Sequence, residues 1–393
     1  MGNLLGSPNT EKETHTGRTP DGMPFGVSSM QGWRVHMEDA HVTEIQLHAG
    51  ETPLPGHALF GVFDGHGGTF AAFYAGNNLS RVFSRQPKWI EYAKQLQQDT
   101  SSQESSVQLL KEALRDAFIE IDREIALALR GQKVADAVDG DTVASNHRSD
   151  PDDEDAIRLL QEEGDSGTTA CVVLVTPNFV LCANAGDSRS VMSKQGGQVV
   201  ELSLDHKPDD EDEEKRIRAA GGYVAGGRVE GDLAVSRGLG DFRFKSMDVV
   251  MASADDLKKL EDLQALVSKP EQQKVSPVPD IIVQNRDSSN DEFIIIACDG
   301  VWDVNTNEEC IRIVSELFEE GESDVGLICE ELCDLCLNKG SKDNMTALVV
   351  KMDAQKIGEG GGVMARRQKR EEDEAERKAE EVNRNKKTLG ANQ

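Results

Sequence analysis

Basic residues are scarce in this chain, and long apolar runs are absent. Lysine and arginine number 43 against 71 aspartates and glutamates, which leaves a formal net charge of −28 at pH 7. A field of that sign repels phosphate backbones and anionic lipid, so nucleic acid is excluded as an expected partner, while cations and basic partners suit it. No apolar stretch approaches the roughly 20 residues needed to span a bilayer. Hydrophobic residues make up only 37% and aromatics 5% of the 393 residues, so a core plus sizeable solvated segments is expected. No secretory signal is visible. Cysteine is odd in number, seven, and several copies sit in apolar runs, which reads as reduced thiols in an intracellular, cytoplasmic protein. Cys329, Cys333 and Cys336 fall at i, i+4 and i+7 of "VGLICEELCDLC" without further Cys or His beside them. A buried helix face fits that spacing better than zinc.

Residues 1–22 are polar and are expected to be disordered. Within them "MGNLLGSP" makes Gly2 a candidate for N-myristoylation, although Ser7 falls one position later than the usual pattern. One acyl chain with no polybasic patch would give at most weak membrane association. Beyond residue 22 short apolar runs alternate with turn residues. "HALFGVFDG", "TACVVLVTP", "FVLCANAGDSRSVMS", "EFIIIACDG" and "MTALVVKM" read as strands, and the Pro-Asn turn between the second and third predicts an antiparallel hairpin. Residues 105–129 carry an apolar stripe of period 3.6 and predict a long helix, with two more in "NEECIRIVSELFEE" and "DVGLICEELCDLCLNKG". Three segments look like additions: an acidic insert over about 134–165, a segment over 246–279 with an amphipathic pattern in "DDLKKLEDLQALV", and a charged tail over 354–393, flexible or helical.

Acidic residues recur where strands end. Glu38 and Asp39 lie in "GWRVHMEDAH", Asp64 follows "HALFGVF", Asp187 follows "VLCANAG", Asp299 follows "FIIIAC" and Asp343 precedes "NMTALVV". Each alone is an ordinary turn former, cap or surface charge. Together, carboxylates converging at strand ends would repel one another and raise each other's pKa, a conflict that divalent cations remove. Mg²⁺ and Mn²⁺ favour such hard oxygen donors, and two of them can clamp an in-line displacement at phosphorus. Gly65 would expose a backbone carbonyl to such an ion. Arg34 suits bidentate capture of a phosphoryl group, against the simpler reading of a surface ion pair. His66 follows the metal-binding turn, and a nearby Asp would keep it cationic and able to protonate a leaving group. His36 and His41 read as structural or surface residues.

The ordered blocks "GWRVHMEDAH", "FGVFDGHGG", "SGTTA", "NAGDSRSV", "LDHKP", "RVEGDLAVSRGLGDF", "IIACDGVWDV" and "SKDNMTALVV" resemble the signature of the metal-dependent protein phosphatases, the type 2C serine/threonine phosphatases. The resemblance spans about 23–353, which it marks as a catalytic domain. It implies a four-layer α-β-β-α sandwich of two mostly antiparallel sheets flanked by helices. It also implies action on phosphoserine and phosphothreonine proteins through water activated at two Mg²⁺ or Mn²⁺ ions, and a monomer is expected. On that resemblance Asp64 bridges both ions, and Gly65 and Glu38 serve one of them, Glu38 through water. Asp299 and Asp343 complete the other, and Asp187 helps hold a third, weaker ion. Arg34 holds the substrate phosphate and His66 is the general acid. Asp39 and Asn344 support the ligands, with Thr168 and Thr169 ranked lower. Residues from about 206 to 244 would form a flap beside the site, extended by the connection to 279. A pseudophosphatase and a two-metal nuclease are the alternatives. The intact carboxylate set argues against the first and the net charge against the second.

Overall fold

The computed structural model describes residues 4–98, 102–132, 134–137, 166–251 and 269–390. Gly2, most of the acidic insert and the amphipathic pattern at 255–267 lie outside the described residues. Counting only elements longer than two residues, the first sheet comprises β1 (Leu4–Arg18), β2 (Pro24–Arg34), β7 (Arg189–Lys194), β8 (Gln198–Glu201), β10 (Asp291–Ala297) and β11 (Met345–Lys351). The second comprises β3 (Ala40–Glu44), β4 (Ala58–Phe63), β5 (Ala170–Val175), β6 (Phe179–Ala185) and β9 (Asp280–Asn285). Their spatial orders are β1-β2-β11-β10-β7-β8 and β9-β6-β5-β4-β3, and every neighbouring pair is antiparallel.

Alternation along each strand builds the layers. In β5, Cys171, Val173 and Val175 point into the core between the sheets, while Ala170, Val172 and Leu174 face the helices. In β10, Ile294 and Ile296 point inward while Phe293, Ile295 and Ala297 face the opposite helical layer. Both faces are covered, so these antiparallel strands read as continuous apolar runs. Helices α1 (Phe70–Ser84), α2 (Pro87–Gln97) and α3 (Gln103–Ala128) cover the second sheet. Helices α5 (Asn307–Glu319) and α6 (Val325–Lys339) cover the first. The result is the expected four-layer α-β-β-α sandwich. The hairpin β5–β6 and the long helix α3 form where the sequence placed them, and Cys329, Cys333 and Cys336 are buried in α6.

From Leu4 onward the N-terminal segment is an ordered strand rather than the disordered one expected. β1 pairs with β2 from Leu4↔Arg34 to Arg18↔Pro24, with irregularities between Leu4 and Lys12. An edge strand needs backbone partners rather than apolar side chains, so a polar segment can fill the place. Lys12 adds an ion pair to Asp334 at 2.7 Å, and Thr14 Oγ1 donates to Glu330 at 3.0 Å. The charged tail forms a helix, α7 (Gly362–Gly390), whose first turns are tied to α5 and α6 by Arg366–Glu320 at 2.6 Å and Arg370–Glu331 at 2.8 Å.

Residues 206–244 fold beside the open end of the sandwich around a small core of Ile217, Val229, Leu233, Val235 and Phe244. Helix α4 (Glu211–Ala219) presents Glu213 to two guanidiniums, Arg216 and Arg237, each at 2.7 Å. Burial alone would raise the Glu213 pKa, but the bonds to Arg237 and Arg216 hold it down to about 2. Its folded value lies below its unfolded one, so the stabilisation is present above the ordinary carboxylate range and fades as pH falls toward 2. Glu213→Gln is expected to cost about 3 kcal/mol at neutral pH, because it leaves buried cations unpaired. Thermal melts should show that the difference from wild type shrinks below about pH 4.5. A constant difference down to pH 2 would remove Glu213 from this role.

Candidate active site

Four strand ends and two loops converge at one end of the sandwich. β4 delivers Asp64 immediately after Phe63. The Asp64 backbone is pinned on both sides: its carbonyl accepts from Thr169 N at 2.9 Å, and its N–H donates to Thr169 Oγ1 at 3.2 Å. β10 ends at Ala297, and Asp299 begins the helical turn Asp299–Trp302, with its N–H donating to Asp64 Oδ2 at 3.4 Å. Asp187 follows β6, and Asp343 with Asn344 leads into β11. The Asn344 side chain fastens the acidic loop after β2. Its Oδ1 accepts from Glu38 N at 3.0 Å, and its Nδ2 donates to Gln31 O and His36 O.

Two glycines are required by close approach. A Cβ on Gly65 would lie 2.2 Å from the Glu38 carbonyl oxygen, and one on Gly300 would lie 1.9 Å from that of Asn344. Gly65 brings the "HMED" loop against the "FDGHGG" turn, and Gly300 brings "CDG" against "KDN". Glu38 Oε1 accepts from Gly68 N at 2.8 Å, which ties the first pair together.

The carboxylates feel one another. Burial first, and then Asp299, Asp39, Asp187 and Asp343, push Asp64 well above the ordinary carboxylate range. Burial, followed by Asp187 and Asp343, pushes Asp299 up to about 8. Burial dominates for Asp39, which reaches about 7 despite the hydrogen bond from Thr346 and the neighbouring Cys298 thiol. Asp39 Oδ1 is enclosed with no hydrogen-bond partner among the described residues. Crowded carboxylates and an unpartnered buried oxygen fit a cation-binding centre. Two side-chain cations answer part of this charge: Arg34 Nη2 pairs with Asp343 Oδ2 at 2.5 Å, and Lys207 Nζ with Asp187 Oδ2 at 2.5 Å. Asp64, Asp299 and Asp343 thus share one electrostatic centre, but Asp343 is turned toward Arg34. The tightest ligand group among the described residues is Asp39, Asp64 and Cys298, within 4.8 Å of one another.

On the opposite wall His66 is 31% exposed at its side chain, and its Nε2 lies 2.9 Å from both carboxylate oxygens of Asp241. Burial lowers the imidazole pKa, but Asp241 more than reverses this, and the net shift is upward. Asp241 has a left-handed φ of 53° and packs over Gly167, where a Cβ would lie 2.2 Å from its carboxylate. The loop carrying it is moored to α3: Asp122 Oδ1 accepts from Gly240 N and from Lys245 Nζ, each at 2.8 Å.

The structure therefore brings Arg34, Glu38, Asp39, Asp64, Gly65, His66, Thr169, Asp187, Asp299, Asp343 and Asn344 to one place. Thr168 is different: its Oγ1 donates to the Thr169 carbonyl at 2.9 Å, and the residue serves the wall beneath. Sequence reasoning missed Asp241, Lys207 and Cys298 as members of the site. Asp241 and Lys207 sit in "RGLGDF" and "LDHKP", where a lone charge beside Gly or Pro looks like a turn former. Cys298 looks like the last apolar residue of a strand.

Comparison with known proteins agrees with this geometry. The protein phosphatase 2C family profile matches residues 23–345. "Protein phosphatase 2C homolog 2" of Aspergillus flavus is 34% identical over 364 residues, covering 89% of this chain and 68% of that protein. A "Probable protein phosphatase 2C" of Caenorhabditis elegans is 36% identical over 356 residues, covering 89% of this chain and 80% of its own. A crystal structure of serine-threonine phosphatase 2C from Toxoplasma gondii shares the fold, with a TM-score of 0.62 at 22% identity, over 86% of this chain and 99% of that one. With strand ends, acidic cluster and matched span in agreement, the chain belongs to the protein phosphatase 2C family and is a serine/threonine protein phosphatase.

Proposed function

We propose that this chain hydrolyses phosphoserine and phosphothreonine in proteins with Mg²⁺ or Mn²⁺ held by Asp64, Asp299 and Asp343, aided by the Gly65 carbonyl, Glu38 and Asp187. The observation that carries the reading is the crowding of half-buried Asp64 and Asp299 with Asp187 and Asp343 at one end of the sandwich, which raises the pKa of both and which bound divalent cations would relieve. Bound divalent ions would supply that charge, acidify water and neutralise phosphoryl oxygens. The protein's own groups do the rest. Arg34 is 40% exposed at its side chain, and its fork can leave Asp343 for a phosphoryl group. Asp241 favours the charged form of His66, and because it faces Nε2, it leaves Nδ1 to protonate the departing seryl or threonyl oxygen. Thr169 and Asn344 fix the backbone on which the ligands stand.

A phosphopeptide panel assayed with Mn²⁺, with Mg²⁺ and with excess chelator tests this. Turnover is expected with either metal and none under chelation; activity that survives chelation overturns the mechanism. Metal should also raise the melting temperature, since free metal at 100 times its dissociation constant adds about 2.7 kcal/mol. A flat thermal response across millimolar metal would count against the assigned ligands.

A further inference from the structure

Helix α3 carries a carboxylate on its apolar stripe. Asp122 stands among buried Phe118, Ile121 and Ile125. Its side chain is 2% exposed, and that of Lys245, paired with it at 2.8 Å, is 0% exposed. Burying such a pair is costly, and apolar side chains of similar volume often serve stability as well or better. Stability alone therefore does not account for it, whereas its other bonds do. Asp122 Oδ1 also accepts from Gly240 N at 2.8 Å, and Lys245 Nζ donates to Gly238 O at 2.9 Å. The ammonium lies 5.5 Å from the centroid of the Phe242 ring as well. The chain is thus gripped on both sides of Asp241.

The gripped stretch is strained. Gly240 and Asp241 both have left-handed φ, 77° and 53°, and a Cβ on Gly240 would lie 2.4 Å from the Ser166 carbonyl oxygen. A non-glycine residue in that region costs about 1–3 kcal/mol and persists only where its surroundings enforce it. The strained residue is the one that reaches His66, whose Nε2 lies 2.9 Å from both of its carboxylate oxygens. We propose that Asp122 and Lys245 are positioning residues, a buried clasp that holds the loop from Gly238 to Lys245 so that Asp241 meets His66. Through Asp241 the clasp governs proton delivery to the leaving group. Its effect on turnover rests on the function proposed above; the placement of Asp241 does not.

The test is Asp122→Leu/Lys245→Met in the full chain, which replaces the pair by apolar side chains of similar volume and should stay folded. Its crystal structure should show Asp241 moved beyond about 3.5 Å from His66 Nε2. With Mn²⁺, kcat on a phosphoserine peptide should fall about tenfold or more and KM should change less than about twofold. On an aryl phosphate, whose leaving group needs no proton, kcat should fall less than about threefold. Added to Asp241→Asn, the two changes should cost less than about twofold further, because the clasp acts through Asp241. Lys245→Met alone keeps Asp122 on Gly240; it should shift the same ratio of substrates in the same direction and serves if the double variant does not fold. Glu124→Gln is the control, since Glu124 lies on α3 but pairs with Arg81 of α1. It should lower the melting temperature and leave the ratio unmoved. An unmoved Asp241, equal losses on both substrates, losses that add to those of Asp241→Asn, or a ratio shifted as far by Glu124→Gln overturns the clasp. Wild-type turnover with Mn²⁺ beside an unmoved Asp241 would sink the clasp and leave the phosphatase mechanism standing. A displaced Asp241 in a protein whose wild type shows no turnover would do the opposite.

Discussion

Asp64→Asn is expected to lower turnover of phosphopeptides by about three orders of magnitude or more while leaving the metal-free protein at least as stable as wild type. The two effects share one cause. Asp64, half-buried, lies in the field of Asp299, Asp39, Asp187 and Asp343, so its negative charge is unfavourable without cations. Asparagine keeps the shape and the backbone bonds to Thr169 but removes that charge. The metal-free fold then loses a repulsion, and the proposed metal centre would lose the ligand assigned to both ions. A thousandfold loss corresponds to about 4 kcal/mol of transition-state stabilisation, within what a metal at a phosphoryl group supplies. The checks are kcat/KM with saturating Mn²⁺ and melting curves with and without the metal. Near-normal turnover, or an undiminished thermal response to Mn²⁺, would show that Asp64 is not the shared ligand.

Asp241→Asn should reduce turnover of a phosphoserine peptide by about a hundredfold. Asparagine tolerates the left-handed φ that this position adopts, so the loop should keep its path. What changes is the partner of His66: a carboxylate that favours imidazolium becomes a neutral amide. The loss should depend on the leaving group. A serine alkoxide needs a proton, whereas an acidic phenol does not, so an aryl phosphate should lose less than about tenfold. His66→Ala should show the same pattern, and the double variant should be scarcely worse than either, because the two side chains act as a unit. Equal losses on both substrates would assign Asp241 to the fold of the loop rather than to proton delivery.

Much of the architecture was legible locally. In "FIIIACDG" the β-branched run, the closing Asp-Gly and the return in "KDNMTALVV" predict two strands with acids at their ends, and these become the adjacent strands β10 and β11. Burial on both faces made such strands hard to miss. The N-terminal segment was misread because its polar composition hides an edge strand whose stability comes from the backbone of β2 and from partners such as Asp334 and Glu330. Asp241 and Lys207 were passed over because nothing near them in sequence reveals a partner; His66 and Asp241 are 175 positions apart.

From its residues alone the chain specifies the strands, the principal helices and the acidic strand ends, since these follow from side-chain periodicity and turn chemistry over a few positions. Which acids meet, which cations face them and which oxygen is left without a partner depend on the stacking of two sheets. That packing brings Asp64 beside Asp299 across 235 residues, and the electrostatic conflict that calls for metal exists only after it has done so.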